Sequence, residues 1–135
     1  MKTTAFLYSI VIALALAFLF SCSSPEARLT GRWTTERVDA EIDSVKANLE
    51  SVDRAIASTR TTKFVLNEDH TMALSIDGFT HEAFWTYDNK TGIISFRLDA
   101  DKFGDPIELG TYEDGRIVYT SKVKHGSITA VYVKE

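Results

Sequence analysis

The chain is poor in the residues that staple, break or arm a small protein. It has one cysteine, Cys22, in 135 residues. A disulfide is therefore excluded, and the fold must hold together by packing alone. Its two prolines and all of its glycines fall outside the stretch from Trp33 to Thr59. The three histidines are His70, His81 and His125, and no two are spaced as metal-ligand pairs. His81 and Glu82 are adjacent in a strand pattern, which sends them to opposite faces and removes a general-base pair by adjacency. There is no Gly-x-Ser-x-Gly elbow, no phosphate-binding glycine loop and no dinucleotide fingerprint. The 15 Lys and Arg are outnumbered by 19 Asp and Glu and form no basic stripe, which argues against a nucleic-acid partner. The expectation is a protein that is not an enzyme, with no catalytic residues, no metal and no cofactor; an active site assembled only in space is a distant third reading.

What is present begins at the N-terminus. Lys2 supplies a short positive region, and Ala5 to Phe20 is an uncharged run of apolar and small residues. That run is shorter than the roughly 20 residues a membrane-spanning helix needs. Leu19-Phe20-Ser21-Cys22 resembles a lipobox, the site where signal peptidase II cuts before a lipid-modified cysteine, although Phe20 is bulkier than the residue usual there. The resemblance implies that residues 1–21 are a lipoprotein signal peptide and that Cys22 carries diacylglycerol and fatty acid such as palmitate. Two or three acyl chains make a stable membrane anchor. Residues 22–27 then read as the lipidated cysteine and a polar spacer. Ser23 replaces the aspartate that favours inner-membrane retention, which points to the outer membrane, facing the periplasm. An ordinary secretory leader with a free cysteine is the plain alternative. Cleavage removes 21 of the 135 residues and leaves 114, with 14 basic residues against 19 acidic and a net charge of about −5. That is one small domain.

Two regimes follow. Val38, Ile42, Val45, Leu49, Val52 and Ile56 recur at steps of three and four, which predicts one amphipathic helix over about 38–58. Acidic Asp39, Glu41 and Asp43 near its start and Arg54 and Arg60 near its end suit the helix dipole. From Thr62 onward the pattern becomes strands: Thr62–Asn67, Thr71–Asp77, Thr80–Asp88, Ile93–Asp99, Ile107–Glu113, Arg116–Val123 and Ser127–Lys134. Phe64/Leu66, Met72/Leu74/Ile76, Ile94/Phe96/Leu98 and Ile128/Ala130/Tyr132 each share one face. Asp77-Gly78, Asp114-Gly115 and His125-Gly126 are turn pairs. With Leu29–Arg37 before the helix the count is eight. The expected fold is mainly β: an eight-stranded antiparallel up-and-down barrel over residues 28–135, with one long helix between strands 1 and 2. A two-sheet sandwich is the rival.

Short motifs carry a family resemblance. Leu29-Thr30-Gly31-Arg32-Trp33 contains the Gly-x-Trp of lipocalin and lipocalin-like proteins, in which the tryptophan closes one end of the barrel. Phe64-Val-Leu-Asn-Glu-Asp-His-Thr-Met72 resembles a hairpin of lipocalin-like bacterial lipoproteins, with His70 where glycine is usual. Trp85 is similar to a recurrent strand tryptophan of those domains. Lipocalins also stack a last-strand arginine on the Gly-x-Trp tryptophan; here the last strand offers only Lys134. A 20-residue helix would be near 30 Å long and must bend, lie along the wall or project.

Function divides two ways. In the first, implied by the resemblance, the barrel holds a small hydrophobic or amphipathic ligand, and its lining is drawn from Trp33, Phe64, Trp85, Tyr87, Phe96, Tyr119 and Tyr132. In the second the barrel is solid and helix 38–58 binds a protein partner. The same apolar stripe fits packing on its own barrel. Asp99, Asp101 and Asp105 around Gly104 lack the ligands of a calcium loop at Phe103 and Gly110 and read as a solvated loop.

Overall fold

Period-two alternation produces strands, and apolar residues on one face of every strand require that face to be enclosed. The computed structural model describes residues 24–98 and 104–135. Eight antiparallel strands form a closed barrel in sequence order: β1 (Gly31–Ile42), β2 (Lys63–Leu66), β3 (Thr71–Ile76), β4 (Phe79–Asp88), β5 (Ile93–Leu98), β6 (Ile107–Glu113), β7 (Arg116–Val123) and β8 (Gly126–Lys134). β1 closes the ring by pairing with β8 from Trp33↔Lys134 to Ile42↔Gly126. Every strand among the described residues lies within 31–134, and together they close the barrel. The inward faces are those the alternation indicated. The leader, the lipobox and Cys22 lie outside the described residues, as do Asp99, Asp101 and Phe103.

Turn chemistry sets the register. Asp77 and Gly78 both have positive φ, 52° and 82°, as a two-residue hairpin turn requires. At the last hairpin the left-handed residue is His125, with φ 67°. Gly126 is needed for a different reason: a Cβ there would collide with the Glu41 carbonyl oxygen, so only glycine lets β8 approach β1 at this point. Across β8, Glu36 at the β1 bulge accepts from Arg116 Nε at 3.0 Å. The guanidinium holds the Glu36 carboxyl below its usual range.

The helix is shorter and later than expected. α1 spans Leu49–Arg60, while Val38–Ile42 belongs to β1. The reason lies in a double reading. Val38, Ala40 and Ile42 also alternate with Asp39 and Glu41, and pairing with Ala130, Ile128 and Gly126 selects the extended form. Asn48 caps α1 by accepting from the Ser51 N–H at 3.3 Å. Three hydroxyl contacts pin its C-terminal end. Thr35 Oγ1 donates toward the Thr59 and Thr62 carbonyls, and Ser58 Oγ donates to Asp77 Oδ2 at 2.7 Å. α1 therefore lies across the barrel end from which β2 begins.

The stripe is broken as well. Val52 and Ile56 are half-buried, whereas Val45 is 91% and Leu49 is 50% exposed. Leu49→Asp should thus leave stability within about 0.5 kcal/mol of wild type, since it changes an open first-turn position where the dipole welcomes an acid. Ile56→Asp should cost about 1–3 kcal/mol. Chemical unfolding of both variants checks the contrast.

Candidate functional site

The barrel interior has two halves, and side-chain size decides which is solid. At the end where β1 begins, Trp33, Phe64, Leu66, Trp85, Ile94 and Ile117 are fully buried together with Leu29. Trp33 stacks on Phe64 at 6.1 Å between centroids and meets Tyr112 edge-on at 6.4 Å. Its Nε1 donates to the Leu29 carbonyl at 2.8 Å. Lys134 extends over the Trp33 ring, with Nζ 5.9 Å from the centroid, and donates to the Arg28 carbonyl at 2.9 Å. The last-strand lysine thus covers one face of the Trp33 ring.

A second aromatic unit braces the same end. His70, in the left-handed region at φ 68°, stacks on Trp85 at 4.7 Å. Its Nδ1 donates to the Trp85 carbonyl at 3.1 Å, and its Nε2 pairs with Glu26 at 3.0 Å. Trp85 Nε1 in turn donates to the Asn67 carbonyl at 3.0 Å. Glu26 comes from a 3-10 turn, Pro25–Arg28, that overlaps residues 25–27 of the expected spacer. Residues 25–28 are therefore part of the domain and cap its closed end.

The opposite half is hollow. Beneath α1 lies a cavity of about 290 Å³. Leu74, Phe96, Leu109, Ile128 and Ala130 form its apolar wall, and Ala55 and Thr59 of α1 its roof. The void exists because Ala130 and Ala55 face one another's region where leucines would fill it. Tyr132 makes the floor: its ring meets Phe64 edge-on at 5.1 Å, so it separates cavity from plug. Burial pushes the Tyr132 phenol up to about 12, with the neighbouring Tyr119 adding to the shift. Tyr132 therefore stays neutral and keeps its proton at physiological pH. Among the described residues its hydroxyl has no hydrogen-bond partner, so it is free to bond a guest.

A second chamber of about 380 Å³ adjoins the first, sharing Ala55, Val123 and Ile128. It lies between the N-terminal half of α1 and the β7–β8 turn and adds Lys46, Asn48, Ser51, Lys124 and His125.

Of the seven lining candidates read from the sequence, Phe96, Tyr119 and Tyr132 face the cavity. Trp33, Phe64 and Trp85 do not; they are the plug, because bulky rings pack first where strand ends converge. Tyr87 is half-buried and packs against the core away from the cavity. The residues missed include the aliphatic wall, such as Leu74, Leu109 and Ile128, and the small Ala55 and Ala130. An alanine in an inward strand register between Ile128 and Tyr132 was the available signal. Among the described residues no group of three or more His, Cys, Asp or Glu gathers as a metal site, and no helix is long and apolar enough to cross a membrane. No family model matches the chain, and no curated protein or solved structure is similar to it.

Proposed function

We propose that the protein is a lipid-anchored, lipocalin-like binding module of the cell envelope that holds a small hydrophobic or amphipathic molecule in the open half of its barrel. The observation that carries this reading is the mainly apolar cavity of about 290 Å³ under α1, with the neutral Tyr132 in its lining. That volume is close to the lower end of the roughly 300–1,000 Å³ range of small-molecule sites, and the adjoining chamber extends it. A few polar groups in a mainly apolar wall, Tyr132 and Tyr119 with Thr62, Ser121 and Glu108, would orient a guest.

The test is direct titration of residues 24–135 with an environment-sensitive apolar fluorophore such as N-phenyl-1-naphthylamine. Wild type should show saturable enhancement. Ala130→Phe places a ring in the void and should abolish that signal, while changing stability by about 1 kcal/mol or less because the space already exists. Equal enhancement in both proteins overturns the reading.

A protein-binding role has a specific observation in its favour. Val45, Leu49, Phe79 and Ile107 are exposed around the open end, with Phe79 71% accessible. Such clustering suits a contact surface. A partner using it would cover the mouth, and its binding would then compete with the fluorophore.

A further inference from the structure

The two chambers differ in chemistry, and the difference specifies the guest. The inner one is mainly apolar, whereas the outer one carries Lys46, Lys124 and His125 at its margin and no acidic residue. Both lysines are exposed, and among the described residues neither has an ion-pair partner. Asp43, the nearest acid along the chain, turns onto its own loop, where its carboxylate accepts the Val45 N–H at 3.1 Å. The only acid lining either chamber is Glu108 of β6, which lines the inner chamber and not the outer one. This basic margin stands on a chain whose net charge is −4, so it is a local reversal of sign rather than part of a basic surface. A local cluster of one sign at a concave site draws in ligands of the other sign.

Resting on the binding-module reading, we propose that the guest is an anionic amphiphile. Its charged head, a carboxylate or phosphate, lies between Lys46 and Lys124. Its apolar chain passes Ala55, Val123 and Ile128 into the inner cavity and ends near Tyr132. A neutral apolar guest would use only the inner cavity and leave the lysines without a role. A cationic guest would meet two like charges on the way in.

Three ten-carbon probes that differ only in the head test this: decanoate, decanol and decyltrimethylammonium, titrated calorimetrically into residues 24–135 at low salt. Decanoate should bind at least tenfold more tightly than decanol, and the cation most weakly. The double substitution K46E/K124E alters exposed side chains that make no hydrogen bond or ion pair among the described residues. It should weaken decanoate at least tenfold and leave decanol within twofold. Shortening the acid to octanoate and hexanoate should lose about three- to fourfold per methylene, as transfer of chain into an apolar cavity requires. Decanol binding as well as decanoate, or the cation binding best, overturns the head-group assignment and leaves the cavity reading intact. If no probe binds, the binding-module reading falls with it.

Discussion

Trp33→Ala should cost the domain about 3–5 kcal/mol, the range for removing a large aromatic from a core. Trp33 is 1% exposed and belongs to both the ring stack with Phe64 and the edge contact with Tyr112. Truncation leaves a void that neighbouring strands cannot close, because β1 is fixed on both sides, to β2 through Trp33↔Phe64 and to β8 through Trp33↔Lys134. It also strips the Leu29 carbonyl of its only indole donor and Lys134 of the ring beneath it. A small barrel has total stability of roughly 5–15 kcal/mol, so the variant sits near the edge of folding. Urea denaturation of residues 24–135 measures the loss. Trp33→Phe should recover part of it, keeping the stack without the N–H. A change below about 1 kcal/mol for Trp33→Ala would show that the aromatic plug does not hold the closed end.

Cys22→Ser should abolish lipidation and leave the precursor uncleaved. The proposed anchor is the lipid on the Cys22 sulfur, and serine has no thiol to accept diacylglycerol. Each buried methylene of an acyl chain contributes about 0.8 kcal/mol, so two or three chains hold far more strongly than any surface contact of the domain. Palmitate labelling and membrane fractionation of the full chain read the outcome. Wild type should take up label and sediment with the outer membrane; the variant should be unlabelled and retain its leader. An unlabelled wild type removes the lipoprotein reading, and the barrel then belongs to an ordinary secreted protein.

Strand order and inward register were legible because they depend on local information. Two-residue periodicity and Asp-Gly turns locate β3, β4, β6 and β7 almost to the residue. The β1–α1 boundary was not legible. Val38 and Ile42 satisfy helical and extended spacing equally, and what decides between them is pairing with Ala130 and Gly126, some ninety residues away. The cavity was legible only by half. Aromatic residues announce themselves in a sequence, and Phe96, Tyr119 and Tyr132 do line it. A cavity is nevertheless made by absent atoms, and Ala55 and Ala130 carry no mark that distinguishes a gap from a tight contact. The basic margin depends on Lys46 and Lys124 meeting across two loops, a proximity set by the bond from the Asp43 N–H to the His125 carbonyl.

The Pro25–Arg28 turn has a directional consequence. Through Glu26 on His70 and Lys134 on the Arg28 carbonyl, it fastens the start of the domain to the plugged pole. Two peptide links separate Cys22 from Ser24, a reach of at most about 7 Å. The cavity lies at the other pole. β1 runs 12 residues between the poles, and a strand of that length in a tilted barrel rises about 30 Å. A domain tethered at Cys22 would therefore stand on its plug with its mouth turned away from the bilayer that holds it. Cargo would be taken up and surrendered through the aqueous side of the compartment, and the supporting leaflet would serve as a mooring rather than as the source.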